Sequence, residues 1–202
     1  MDVGAADGGT AAYFRARFPS NPIVAFEPNP RVADRLEETA RSIGNMKVRR
    51  VALGAARAAA TLHVTANNVS SSLCAINATE CDARSAEVRD KFHVDARVPV
   101  EVTTLDDELA DVPIVLLLKL DTQGTELDIL QGADRTLERT RFVLVEMGNH
   151  QLYEGGCQYH EVDAFLRGHS FRLADLIVSY CPAAGVEEFD ALYAREPQPS
   201  TD

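Results

Sequence analysis

The sequence predicts an α/β fold, a doubly wound, Rossmann-like, mainly parallel sheet that closes with a C-terminal antiparallel strand pair. Three observations predict it. Short apolar runs alternate with stretches of helical periodicity along almost the whole chain. An acidic residue, Asp2, stands directly before a Gly-rich turn, DVGAADGG, and a second acid, Glu27, ends the next apolar run. The run at 112–120 is almost wholly apolar, as a strand covered on both faces by helices requires.

The elements follow in order. IVAF at 23–26 is bounded by Asn-Pro and Pro-Asn-Pro and reads as a strand. Over 31–43 the apolar positions Val32, Leu36, Ala40 and Ile43 recur at helical spacing, and Gly44-Asn45 stops the helix. Residues 47–53 form a third strand, ended by Gly54. The alternation at 61–65 and 98–104 suits antiparallel or edge strands. The polar stretch between them is expected to be mobile and partly ordered, with a short helix over 83–92. The buried strand at 112–120 is followed by a helix over 125–139, with Leu127, Leu130, Ala133 and Leu137 on one face. RFVLVEM at 141–147 is the next buried strand, and 159–168 a helix ended by Gly168. Runs at 171–176 and 190–194 make the final strand pair.

With 202 residues, 46% of them apolar, the chain suffices for one well-packed domain, expected over 1–195, with a fraying tail at 196–202. The net charge of −11 opposes binding to nucleic acid or to an anionic membrane. The densest basic segment, RSIGNMKVRR at 41–50, reads as a solvated helix end and strand entry. No apolar run approaches the roughly 18–20 residues of a membrane span. The first residues already belong to a motif, so no signal peptide is read and a cytoplasmic location is expected. Cys74, Cys81, Cys157 and Cys181 form no C-x-x-C pair and have no His at zinc spacing, which predicts free thiols.

In such a sheet ligands bind at the carboxyl ends of the central strands. A dinucleotide fold uses G-x-G-x-x-G to press its backbone against a pyrophosphate; here Gly4, Gly8 and Gly9 give G-x-x-x-G-G. The looser turn suits an adenosine cofactor without phosphates, with S-adenosylmethionine (AdoMet) the leading candidate. Gly4, Gly8 and Gly9 would let the backbone approach its methionine part, and helix N-terminal amides would receive the carboxylate. Asp2 would reach the amino group, by way of water. Glu27 would accept both ribose hydroxyls, although an NAD site would use an acid here too. Ala5, Asp7, Phe26 and Pro28 border these groups and are placed in the same site. Ala52 and Leu53 either flank the adenine or are plain core.

Seven pieces, in order, resemble the FkbM-type methyltransferases: DVGAADGG at 2–9, AFEPNP at 25–30, SSSL at 70–73, TLDD at 104–107, KLDTQGTELDILQGA at 119–133, LVEM at 144–147 and FDALYAR at 189–195. The family is similar to class I AdoMet-dependent methyltransferases. The resemblance implies O-methylation of a small molecule, such as a sugar or polyketide. In such proteins a full apolar strand precedes the DVGA motif and lies at the centre of the sheet. Here Met1-Asp2 leaves it almost absent, so the start is read as cut, misassigned, or a variant that lost the strand.

Asp121 ends the 112–120 strand over the expected pocket, and Lys119 points to the same face. A Lys within an apolar run needs a partner, and Asp121 or Glu146 would supply one. Asp121 and Glu146 are expected to face each other across the pocket mouth. Methyl transfer to an aliphatic hydroxyl needs an aligned nucleophile and a group to take its proton. Asp121, Glu146, His150 and Lys119 are the candidate catalytic residues, with His150 a candidate base and Asn149 a candidate to orient substrate. Asp121, Glu146 and Asn149 are alternatively oxygen ligands for Mg²⁺, though metal-independent chemistry is favoured. Glu126 either caps the next helix or touches substrate, and Asp106-Asp107 read as helix N-terminal charges. Tyr153 to Gly156 suggest a mobile loop over the substrate. The acceptor itself is not named by the composition of 66–97. The competing readings are an NAD-linked oxidoreductase and a non-catalytic AdoMet-binding module, and an exposed strand edge offers pairing into a homo-oligomer.

Overall fold

The computed structural model describes residues 1–149, 151–181 and 186–197. A seven-stranded sheet forms its centre. In chain order these strands are β1 (Asp2–Val3), β2 (Ile23–Phe26), β3 (Met46–Arg49), β7 (Val115–Leu120), β8 (Thr140–Gly148), β9 (Phe171–Tyr180) and β10 (Glu188–Arg195). They lie side by side as β3-β2-β1-β7-β8-β10-β9. The first five are parallel, and β10 runs antiparallel to both β8 and β9. Although only two residues long, β1 holds the centre, with Asp2 paired to Ala25 on one side and to Lys119 on the other. A smaller sheet carries β4 (Ala52–Leu53), β6 (Val94–Thr103) and β5 (Ala58–Thr65), in that spatial order.

Local chemistry explains the helix ends. Gly8, at φ 90°, precedes α1 (Gly9–Arg17), and Asn29 starts α2 (Pro30–Ile43) by accepting the Arg31 N–H at 3.0 Å, with Pro30 in the first turn. The Arg15 guanidinium, in the last turn of α1, donates to the carbonyls of Asn21, Gly44 and Asn45, which ties the ends of both helices to the same loops. The core lies between the sheet and α6 (Glu126–Gln131), α7 (Asp134–Glu138) and α8 (Tyr159–Gly168), where Leu118, Leu120, Leu130, Leu137, Val143, Val145 and Leu166 are fully buried. Each such side chain contributes about 1.5–3 kcal/mol by leaving water. The outer edge strand β9 leaves Leu176, Ile177 and Val178 exposed. No helix among the described residues is long and apolar enough to cross a membrane.

Several elements differ from the sequence reading. The strand expected at 47–53 is two strands, because the chain leaves the main sheet at Arg50, whose guanidinium reaches Asp34 and Glu37 on α2, and enters the small sheet at Ala52. The helix expected at 125–139 breaks at Gly132. A Cβ there would lie 2.2 Å from the Gly54 carbonyl oxygen, and the Asp106 carboxylate caps the second piece by accepting the Arg135 and Thr136 N–H groups. In place of one helix at 83–92 stand α3 (Ala78–Asp82), started by Asn77, and α4 (Ala86–Lys91). Both strands of the final pair are longer than expected. A four-residue helix, α5 (Leu105–Glu108), starts at Thr104, whose hydroxyl accepts the Asp107 N–H. The expected tail lies largely outside the described residues.

Candidate functional site

The turn after β1 is held by the end of β7. Gly4 has φ 73°, and a Cβ on it would fall 1.8 Å from the Asp121 carbonyl oxygen, so only glycine fits. From there the chain turns over the end of β2. The Gly4 and Ala5 N–H groups both donate to the Phe26 carbonyl, and Ala6 N–H donates to Glu27 Oε2 at 2.8 Å. Glu27 Oε1 accepts the Asn29 N–H at 2.8 Å. Each carboxylate oxygen thus spends one lone pair on the backbone and keeps another. Burial pushes the Glu27 carboxyl up, while the two backbone N–H groups oppose that shift.

Over this turn lies a cavity of about 240 Å³. Gly4, Ala5, Ala6 and Asp7 form one side, and Phe26, Glu27 and Pro28 the next. Val51, Ala52 and Leu53 supply an apolar wall, and Asn68, Ser71 and Ser72 close it from the segment after β5. Lys119, Asp121 and Thr122 form the floor beside β7. The groups suit an adenosine-type ligand: an apolar slot, a carboxylate with free lone pairs, and a buried, unpartnered acceptor, Asn68 Oδ1.

Lys119 is 6% exposed, and its ammonium is surrounded by oxygen. It donates to the Gly4 carbonyl at 3.1 Å and lies 3.1 Å from Asp121 Oδ2 and 3.4 Å from Asp2 Oδ1. Burial alone would lower the ammonium, but the carboxylates of Asp121 and Asp2 outweigh it and hold it above its ordinary value. For Asp121, burial is likewise outweighed by Lys119 and by hydrogen bonds from Glu146 and Gln123, so its carboxyl titrates below the ordinary range. Asp2 is wholly buried, and burial pushes its carboxyl up against the pull of Lys119.

A second cavity, of about 80 Å³, adjoins the first on the β8 side. Glu146, Glu188, Tyr153, Tyr159, Tyr180 and Arg84 line it, and Arg84 is paired there with Glu187. Glu146 stands beside Asp190 of β10. Burial and the neighbouring Asp121 carboxylate push the Glu146 carboxyl up to about 10, so it is protonated at neutral pH. Gln123 stands at the boundary: its amide nitrogen donates to Asp121 Oδ1 at 3.0 Å and to Glu146 Oε2 at 2.5 Å.

The structure therefore brings together Lys119, Asp121 and Glu146, and gathers Gly4, Ala5, Asp7, Phe26, Glu27, Pro28, Ala52 and Leu53 around one cavity. Two expected cofactor residues stand elsewhere. Gly8 does not line the cavity; a Cβ there would meet Thr39 and Leu36, so its lack of a side chain serves the packing of the turn on α2. Asp2 lies behind the cavity and reaches it only through Lys119. The Asn149 amide donates to the Val186 carbonyl, away from both cavities. His150 lies outside the described residues. Glu126 closes its own loop by accepting the Thr122 and Gly124 N–H groups, as a capping residue does. Tyr153, expected on a mobile loop, is buried with its hydroxyl on Ser70 O and Gln123 Oε1. Gln123, Asn68 and Ser72 were missed as site residues, because a polar side chain in a turn carries no signal of where it points. Among the described residues no group of three or more His, Cys, Asp or Glu side chains is arranged to hold a metal ion.

A central parallel sheet ending in an antiparallel pair, with a Gly-turn and acid around one cavity at its carboxyl edge, defines a Rossmann-like protein with a nucleoside-type cofactor site. The chain belongs to the FkbM methyltransferase domain family, whose model matches residues 2–173. The methyl donor of this family is AdoMet. Among curated proteins the chain is similar to the 2-O-methyltransferase NoeI of Sinorhizobium fredii (strain NBRC 101917 / NGR234), at 28% identity over 77% of this chain. It spans 65% of the length of that relative. Its fold is similar to that of the magnesium protoporphyrin IX methyltransferase ChlM from Synechocystis PCC 6803, with a TM-score of 0.52 at 8% identity, covering 96% of this chain and 68% of the other. Precorrin-6y C5,15-methyltransferase from Geobacter metallireducens GS-15 gives a TM-score of 0.52 at 10% identity, covering 96% and 78%.

Proposed function

We propose that the protein transfers a methyl group from AdoMet to a hydroxyl of a small molecule. One observation carries the reading: Asp121 lines the larger cavity, suited to an adenosine cofactor, Glu146 lines a second cavity, and the Gln123 amide joins the two carboxyls by donating to both. Glu27 accepts the ribose hydroxyls with the lone pairs its backbone bonds leave free, and Val51, Ala52 and Leu53 flank the base. Asn68 Oδ1 gains a donor from the ligand. The turn at Gly4 to Asp7 holds the methionine end, with Lys119 bracing the turn through the Gly4 carbonyl. When bound, AdoMet supplies an electrophilic methyl group on a sulfonium. The acceptor oxygen must then lose its proton as it reacts, and Asp121, ionised beside Lys119, is the carboxylate able to take it. The similarity to a 2-O-methyltransferase supports oxygen as the methylated atom.

The test is incubation with CD3-labelled AdoMet and a panel of sugars, glycosides and polyketide alcohols, read by mass spectrometry and NMR. Label recovered as an O–CD3 ether is the expected result. Label on nitrogen or carbon would overturn the choice of oxygen.

A further inference from the structure

Gln123 is an unusual residue for its position. Its φ is 63°, in the left-handed region that a side chain other than glycine enters at a cost of about 1 kcal/mol or more. The side chain is nevertheless fully engaged. Its two N–H bonds go one to Asp121 and one to Glu146. Its Oε1 faces the Tyr153 hydroxyl at 2.6 Å, and its backbone carbonyl accepts from Ser72 Oγ at 2.7 Å. Held from both ends, the amide spans the wall between the two cavities. The carboxyls it joins differ in surroundings: Asp121 is paired with Lys119, which holds it down, while burial and the neighbouring Asp121 push Glu146 up, so the proton of the pair rests on Glu146.

Resting on the methyl-transfer reading above, we propose that Gln123 is a positioning residue that fixes Glu146 and Asp121 as a two-carboxyl proton relay from the second cavity to the first. The acceptor hydroxyl gives its proton to one oxygen of Glu146 while the other oxygen of Glu146 gives its own proton to Asp121. Glu146 ends neutral as it began, and Asp121 ends protonated. The acceptor oxygen bonds to the methyl carbon with a lone pair, and the electron pair of the broken C–S bond stays on sulfur. Apart from Asp121, the charged groups facing Glu146 are Glu126 and Glu188, with Asp190 beside it on β10; Lys119 acts through Asp121.

The test uses Gln123→Met, which keeps the length of the side chain and removes its donors. Two quantities are read. One is the affinity for S-adenosylhomocysteine by calorimetry. The other is the ¹³C carboxyl titration of Asp121 in ligand-free protein, assigned by comparison with Asp121→Asn. Affinity within about threefold of wild type is expected, with the Asp121 midpoint rising by about 1 on the pH scale as its N–H donor is lost. If Gln123→Met does not fold, Tyr153→Phe, which frees the far end of the amide together with the Ser70 carbonyl, is expected to move the midpoint the same way by less. Wild-type binding of S-adenosylhomocysteine with an unmoved Asp121 midpoint overturns the relay alone. Absence of that binding in the wild type overturns the methyl-transfer reading beneath it.

Discussion

Lys119 and Asp121, two residues apart at the carboxyl end of β7, are joined by a 3.1 Å ion pair on the floor of the larger cavity. The same ammonium faces Asp2, which lies 3.4 Å away with no exposure to solvent. Removing the ammonium leaves the buried Asp2 and the half-buried Asp121 without their shared cation. Lys119→Met is expected to cost about 3–5 kcal/mol of stability, and the double variant Lys119→Met with Asp2→Asn to recover part of the loss. Urea unfolding of the three proteins checks this; equal stability of single and double variants would mean that Asp2 and Lys119 are not coupled.

Glu27 joins the larger cavity to the turn that shapes it. Glu27→Gln keeps one acceptor oxygen but loses the charge and one of the paired bonds. A roughly tenfold loss of S-adenosylhomocysteine affinity is expected, since a hydrogen bond to a charged group is worth about 1.5–3 kcal/mol. Calorimetry at neutral pH measures it. An unchanged dissociation constant would place the ribose elsewhere.

The raised carboxyl of Glu146 makes stability depend on pH in a direction opposite to an ordinary ion-paired acid. The folded state keeps this proton up to about pH 10, whereas the unfolded chain releases it near the ordinary 4.5. Between those values the unfolded state binds fewer protons, so this group's contribution to stability falls as pH rises, by at most about 1.4 kcal/mol per pH step for one proton. Glu146→Gln removes that slope, and its advantage over wild type is expected to grow from pH 6 to pH 8. Parallel stability curves for the two proteins would show that Glu146 ionises normally.

Gly132 separates α6 from α7 because Gly54 of the small sheet's loop passes against it. Gly132→Ala forces its methyl toward that carbonyl, and a destabilisation of about 1–3 kcal/mol is expected from overpacking. Leu53, next to Gly54, lines the larger cavity, so the same displacement is expected to weaken S-adenosylhomocysteine binding by the folded fraction as well. Thermal unfolding and calorimetry on one preparation separate the two effects.

What the sequence revealed was local. The strand at 23–26, the helix opened by Asn29-Pro30 and the acids at 27, 121 and 146 all follow from short-range pattern and from strand ends. The rest depended on contacts between distant segments. The break at Gly132 is set by Gly54, and the conformation of Gly8 by Thr39 and Leu36 on α2. Asp2 was legible as an acid before a glycine turn, but its depth behind Lys119 follows from the pairing of β1 with β7. Gln123 carries no local signal of its role; the carboxyls and the tyrosine that its amide joins come from the end of β7, from β8 and from the loop after it.

The central claim is that the cavity bounded by Gly4, Glu27 and Lys119 holds AdoMet. Calorimetric titration of the wild-type protein with S-adenosylhomocysteine, with NADH as the control, tests it most directly. Micromolar binding of S-adenosylhomocysteine and none of NADH is the predicted result. Binding of NADH in its place, or of neither ligand by folded protein, would contradict it.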